Sequence, residues 1–200
     1  MTAQIEQVVP RAVLSLRTEA NLSVVNPWFE KSLSVPGDIA EVGCYRGTMA
    51  LKFAFWVRAL HQDKIVFAFD TFKGFTVDDS VGDTRIGAYR DNDNAEDELW
   101  KWAMILPIVP VKGDARKTCS IYLARPLSFL WLDLDIADLL GPTFRSIEHL
   151  LTPQTIIGLD DYGRPGTPSV KPWADSVEHV GRWRKLAEDH SAFIAFYQRG

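Results

Sequence analysis

The chain predicts a doubly wound α/β domain: a mostly parallel sheet with helices on both faces and a small helical cap at the N-terminus. Three observations carry this expectation. Short runs that are apolar on both faces recur along the chain, segments of helical spacing alternate with them, and acids and glycines collect where the runs end.

The runs are "DIAEVG" (38–43), "KIVFAFD" (64–70), "IVPVKGD" (108–114), "LSFLWLDLD" (127–135), "TIIGLDD" (155–161) and "AFIAFYQ" (192–198). The first five fit the interior of a parallel sheet, because they lack the apolar–polar alternation of a half-wet strand. "TMALKFAFWVRALHQ" follows the first run as a helix, with Thr48 as its expected N-cap. "NAEDELWKWAMIL" precedes the third, "TFRSIEHLLTP" separates the fourth from the fifth, and "KPWADSVEHVGRWRKLAEDH" reads as a helix after the fifth. Residues 1–36 are expected to form the cap and residues 37–200 the main domain. Residues 71–95 form a long polar excursion, and loops of that length in a compact domain are usually functional or disordered. The Pro/Gly stretch 164–172 is a second lid candidate.

At 200 residues the chain is one ordinary domain with room for a real core. A formal net charge of −4 leaves no excess of Lys and Arg to neutralise phosphates, which argues against a nucleic-acid partner. Cys44 and Cys119 are too few for a disulfide framework or a zinc site. The N-terminus lacks the pattern of a secretory signal, and no apolar run is long enough to span a bilayer, so the expectation is a soluble cytoplasmic protein without a membrane partner.

Glu41, Asp70, Asp114, Asp133, Asp135, Asp160 and Asp161 all fall at the ends of the first five runs. In a parallel sheet these ends share one edge, where open α/β sheets bind ligands. So many carboxylates on one rim need cations or hydrogen-bond donors to offset their repulsion. Asp70 is placed to accept from ribose hydroxyls. The loop after the first run, "EVGCYRG", spaces its glycines as G-x-x-x-G rather than G-x-G-x-x-G, so the pyrophosphate fingerprint is absent. Glu41 beside it would repel a phosphate and favour a cationic amine, and Asp114 could accept from an adenine amino group. An adenosine joined to an amino acid without phosphate is S-adenosylmethionine. Asp133, Asp160 and Asp161 offer hard oxygen ligands that suit Mg²⁺, or Ca²⁺ or Mn²⁺, with Asp135 as a further ligand or supporting partner.

"PGDIAEVGCYRGTMA", "FAFDTFKGF", "FLWLDLD" and "LTPQTIIGLDDYG", in that order across residues 36–163, together resemble the macrocin O-methyltransferase-like group. These are Rossmann-like class I enzymes that methylate sugar hydroxyls of natural products. The resemblance implies that Glu41, Gly43, Tyr45, Arg46 and Gly47 line the methionine end of S-adenosylmethionine. It implies that Asp70, Thr71 and Phe72 hold the ribose and flank the adenine, with Asp114 and Ala115 facing the base. Asp133, Asp160 and Asp161 would bind a Mg²⁺ that positions the acceptor hydroxyl. The sequence departs from the family at Ala137, Asp138, Leu139 and Leu140, where a Tyr-Glu-[Ser/Pro]-Thr run is usual, and Gly141-Pro142 is expected to kink or delay the next helix.

The expected reaction is S-adenosylmethionine-dependent methyl transfer to a hydroxylated small molecule, with Asp133 as metal ligand and proton acceptor. Two other readings stay open: a methyltransferase-like binding protein without turnover, and a nucleotide- or NAD-binding enzyme of the same fold class. His61, His149, His179 and His190 fall on or near helices, away from the rim. Trp100, Trp102, Trp173 and Trp183 are expected to pack helices on the sheet, Trp28 and Phe29 to be core, and Cys44 to be a small buried filler. The "DNDNAEDE" cluster (91–98) lacks the glycine and terminal Glu of a calcium loop and reads as a solvated helix start. The cap could pair two copies of the chain.

Overall fold

The computed structural model describes residues 19–75, 89, 94–179 and 182–199. Most of the 71–95 excursion, and the start of the cap, therefore lie outside the described residues. The elements run α1 (Glu19–Leu33), β1 (Asp38–Val42), α2 (Thr48–Ala59), β2 (Val66–Asp70), α3 (Ala95–Ala103), β3 (Ile108–Lys112), α4 (Ala115–Tyr122), β4 (Leu127–Leu132), α5 (Ala137–Ile147), β5 (Leu151–Leu159), α6 (Val170–His179), β6 (Trp183–Asp189) and β7 (Ile194–Arg199). Among the described residues, the strands form one sheet in the order β3-β2-β1-β4-β5-β7-β6. Strands β1 to β5 pair in parallel, and β7 runs antiparallel between β5 and β6. The chain reverses its direction of travel between β1 and β4, so their carboxyl ends form the switch point of a doubly wound sheet.

Strand alternation sorts the core into two layers. Ile39, Phe129, Trp131, Ile156 and Phe196 face α1, α2 and α3; Ala40, Val42, Leu130, Leu132, Ile157 and Leu159 face α4, α5 and α6. Phe29 of α1 is fully buried between Phe53 and Trp56 of α2 and Phe129 of β4, with ring centroids 4.4, 5.2 and 5.4 Å away. Burial on this scale contributes about 1.5–3 kcal/mol for the Phe29 side chain. Trp28 stacks on Phe196 at 5.1 Å, so both aromatics of "NPWFEKSL" serve packing. Below the sheet, the buried Lys64 ammonium donates to the carbonyls of Val35 and Gly37 and ties the α1–β1 connection to β2.

Three expectations are corrected. Residues 183–189 form a strand rather than the end of a helix. "WRKLAED" has helix-prone composition, but pairing with β7 through a turn nucleated by Asp189, which accepts from the backbone of Ser191 and Ala192, overrides that preference. Helix α5 starts at Ala137, well before Thr143, and carries Pro142 inside it. The missing proline N–H deprives the Asp138 carbonyl of its helical donor, and Asp138 is exposed, so water can satisfy that group. Thr48 is not the N-cap of α2. Gly47 holds that position with φ 75° and supplies no side-chain cap.

Trp102, Trp173 and Trp183 pack as expected, on Phe55 (Trp102) and Phe144 (the other two), whereas Trp100 is half exposed. No helix among the described residues is long and apolar enough to cross a membrane.

Gly158 of β5 lies beside Trp131 of β4 and Phe196 of β7 in register. A Cβ there would sit 2.4 Å from Cε3 of the buried Trp131 indole. Gly158→Ala is therefore expected to lower unfolding free energy by about 1–3 kcal/mol in urea titration. An unchanged midpoint would show that the ring can shift without cost.

Candidate functional site

Alternation puts Glu41 on the same face of β1 as Ile39, facing α2, at the last such position before the strand ends. Its carboxylate is 2% exposed, and its Oε2 accepts from the backbone N–H of Ala50, in the first turn of α2, at 2.5 Å. A strand residue thus supplies the cap that Gly47 lacks. Gly43 follows with φ 88°; a Cβ there would lie 1.9 Å from the Asp133 carbonyl oxygen, so only glycine lets the ends of β1 and β4 approach so closely.

Asp70 organises the neighbouring loops. One carboxylate oxygen accepts from the backbone N–H of Tyr45 and the other from that of Phe72, each at 2.7 Å. Both residues are left-handed, at φ 50° and 55°, and Asp135 and Asp161 are left-handed too, at φ 60°. Non-glycine residues in that region cost energy and cluster at functional sites. Here they turn the chain away from the strand ends and leave a cleft.

That cleft measures about 570 Å³ and runs along the carboxyl edge of the sheet. All of Glu41, Asp70, Asp114, Asp133, Asp135, Asp160 and Asp161 line it, together with Gly43, Tyr45, Thr71 and Ala115. Arg46, Gly47 and Phe72 do not. The Arg46 guanidinium lies over the Tyr45 ring, Gly47 packs against Leu99 and Phe72 is core. Among the described lining residues, three basic ones, Arg116, Lys117 and Arg164, stand against the seven carboxylates. Cys44, buried in the same wall, registers this imbalance: burial, then the charges of Asp70 and Glu41, push its thiol well above its ordinary pKa. Among the described residues no histidine lines the cleft; His190 sits in the β6–β7 turn beside Glu188.

The acids separate into two ends. At the β3 end, Asp114 caps α4 by accepting from the backbone N–H of Arg116 at 3.0 Å, and the Arg116 side chain donates to the same oxygen at 2.8 Å. At the β4–β5 end, Asp133, Asp135 and Asp161 each bring one carboxylate oxygen within 4.8 Å of the others. Asp160 lines the cleft but stands outside this trio, and Asp135 takes the place that sequence reasoning assigned to it.

The turn carrying Asp161 is held from behind by the buried Tyr162. The Tyr162 hydroxyl donates to Asp175 at 2.7 Å and accepts from Lys171 at 2.8 Å and Lys185 at 2.6 Å. Arg164, which donates to Asp161 Oδ1 at 2.8 Å, and the α5 pair Leu139 and Thr143 are lining residues that sequence reasoning missed. Thr143 Oγ1 is buried with no hydrogen-bond partner among the described residues.

No protein-family model and no curated protein sequence matches the chain. Solved structures do. CalS11, a calicheamicin methyltransferase, superposes with TM-score 0.77 at 21% identity, covering 100% of this chain and 91% of its own. Its apo form, described as a TDP-rhamnose 3'-O-methyltransferase, gives 0.66 at the same identity and coverage. The O-methyltransferase NovP gives 0.72 at 18% identity over 89% of this chain and 78% of its own. The SAH-bound methyltransferase PaMTH1 of Podospora anserina gives 0.65 at 14% identity over 99% and 85%. At these identities the likeness is one of fold: the chain has the Rossmann-like architecture of these methyltransferases.

Asp114 yields a pH signature. Burial pushes its pKa up, but the hydrogen bonds and charge of Arg116 outweigh this and hold it below the ordinary carboxylate value. A depressed folded pKa contributes stability above the unfolded pKa of about 3.9 and loses it as pH falls through the folded value. Asp114→Ala should therefore cost about 1–2 kcal/mol near neutrality. The gap between wild type and variant, followed by urea midpoints, should hold above about pH 5 and narrow below about pH 4. A gap that does not change with pH would assign the whole effect to neutral capping.

Proposed function

We propose that the protein is an S-adenosylmethionine-dependent O-methyltransferase acting on a hydroxyl of a small molecule, such as a sugar moiety of a natural product. The observation that carries this reading is the Glu41 carboxylate against the N-terminus of α2. In dinucleotide-binding folds that helix end receives a pyrophosphate. Here a carboxylate of the chain itself occupies it, so a phosphate would meet negative charge where it needs donors, whereas an ammonium would meet its counter-charge. This argues against the NAD-binding alternative on the same fold.

The cleft fits the proposed cofactor in size and charge. Its volume lies in the range of small-molecule sites, and an excess of carboxylates suits a ligand that carries a sulfonium and an amine. Glu41, Gly43 and Tyr45 would hold the amino-acid end, Asp70 and Thr71 the ribose, and Asp114 and Ala115 the base. Arg46, Gly47 and Phe72 would act by shaping the walls. Methyl transfer from a sulfonium requires the acceptor oxygen in line with the breaking bond and relieved of its proton.

The donor set at the β4–β5 end fits a hard divalent cation such as Mg²⁺: three carboxylates within reach of one point, with the Cys44 thiol and the Met49 thioether the only sulfur groups among the described lining residues and no imidazole among them. Asp133, Asp135 and Asp161 would hold it. A bound divalent cation supplies acidification and orientation of a hydroxyl. Asp133, only partly buried, would accept the acceptor's proton, a role for which the described lining residues offer no histidine. The orphaned Thr143 hydroxyl on the same wall is suited to pair with an acceptor group that excludes water. CalS11, a TDP-rhamnose 3'-O-methyltransferase, supports a sugar hydroxyl as the acceptor class.

Calorimetric titration of the wild-type protein with S-adenosylhomocysteine is expected to show saturable one-site binding, and the same titration with NAD⁺ no heat of binding. NAD⁺ binding without S-adenosylhomocysteine binding would replace this reading with the nucleotide alternative. Binding of S-adenosylhomocysteine without methyl transfer to any sugar nucleotide or glycoside would favour a binding protein without turnover.

A further inference from the structure

We infer that the Arg164 guanidinium is a built-in counter-ion of Asp161 that competes with the divalent cation for the acidic trio, so that metal loading requires Arg164 to swing away. The inference rests on the metal reading above and concerns how the chain regulates that site. Asp161 is almost fully buried, its side chain 3% exposed, and a carboxylate taken out of water needs a positive partner. Arg164 provides one at 2.8 Å, yet its own side chain is 53% exposed. The partner of a buried acid is therefore itself half in solvent, at the start of the Pro/Gly stretch and on the wall of the cleft.

Such a pair is easily exchanged. The guanidinium is already half hydrated, so leaving Asp161 completes its hydration and incurs no desolvation. The Phe193 ring flanks the guanidinium where it is paired with Asp161, its centroid 5.9 Å from Arg164 Cζ, at the outer edge of a cation–π contact. The turn does not depend on the side chain: the Arg164 backbone N–H donates to the Asp161 carbonyl, the Thr167 N–H donates to the Arg164 carbonyl, and Tyr162 is anchored by Asp175. Removing the guanidinium therefore leaves the frame of the acidic trio in place. A cation approaching Asp133, Asp135 and Asp161 meets a like charge on one of its three ligands, which lowers its affinity until that charge moves.

The test is Mn²⁺ binding, read by loss of the free-ion electron paramagnetic resonance signal, on wild type, Arg164→Gln, Arg164→Lys and Arg164→Gln combined with Asp161→Asn. Arg164→Gln should bind Mn²⁺ roughly 3- to 30-fold more tightly than wild type, the scale of one half-solvated charge a few Å away. Arg164→Lys should stay near wild type because it keeps the charge, and the double variant should lose the gain. Equal or weaker binding in Arg164→Gln, with wild type still binding, would overturn the inference and make Arg164 an orienting partner of Asp161. Failure of wild type and Arg164→Gln alike to bind Mn²⁺, with circular dichroism and S-adenosylhomocysteine binding intact, would overturn the metal reading and this inference with it.

Discussion

The hydrogen bond from the Ala50 N–H to the Glu41 carboxylate is the constraint on which the rest of the site depends. A buried carboxylate at the end of a central strand is costly unless donors meet it, and the first turn of α2 has unpaired N–H groups to offer. The pairing solves two problems together: α2 gains the cap that Gly47 cannot give, and the buried Glu41 carboxylate gains a donor. It also decides what the cleft can accept, since the helix terminus best suited to bind an anion already has one.

The same economy holds around the rim. The Asp70 carboxylate fastens the loops after β1 and β2 to each other through the left-handed Tyr45 and Phe72, each conformation costing about 1–3 kcal/mol in isolation. Asp114 closes α4 and pairs with Arg116, and Asp161 is held by Arg164 in front and by the Tyr162 hub behind. At the β4–β5 end, Asp133, Asp135 and Asp161 converge, each with one carboxylate oxygen within 4.8 Å of the others. Acidic residues that would only repel one another become a frame because backbone N–H groups and individual basic side chains bind them locally.

Much of this was legible in the residues. Runs apolar on both faces identified β1 to β5, and the acids at their ends proved to line one cleft, because parallel strands bring their carboxyl ends to a common edge. The glycine spacing of "EVGCYRG" already spoke against a pyrophosphate. Other features depended on tertiary contact and left no local signal. Residues 183–189 have helical composition and become a strand only by pairing with β7. Helix α5 runs through Gly141-Pro142 because the carbonyl that loses its helical donor belongs to the exposed Asp138. Asp160 and Asp161 are neighbours in sequence, yet it is Asp135 whose carboxylate converges with those of Asp133 and Asp161. Arg164 looked like loop; only the fold brings it to the acid three residues before it.

The proposed function requires that the charge of Glu41 select a ligand with a cationic amine. The most direct measurement is a calorimetric comparison of S-adenosylhomocysteine with 5'-methylthioadenosine, which lacks the amino-acid end, on wild type and Glu41→Gln. The amide keeps an oxygen for the Ala50 N–H and removes the charge. The account predicts roughly tenfold or greater weakening for S-adenosylhomocysteine and little change for methylthioadenosine. Equal weakening of both ligands, or of neither, would contradict it and leave Glu41 as a helix cap alone.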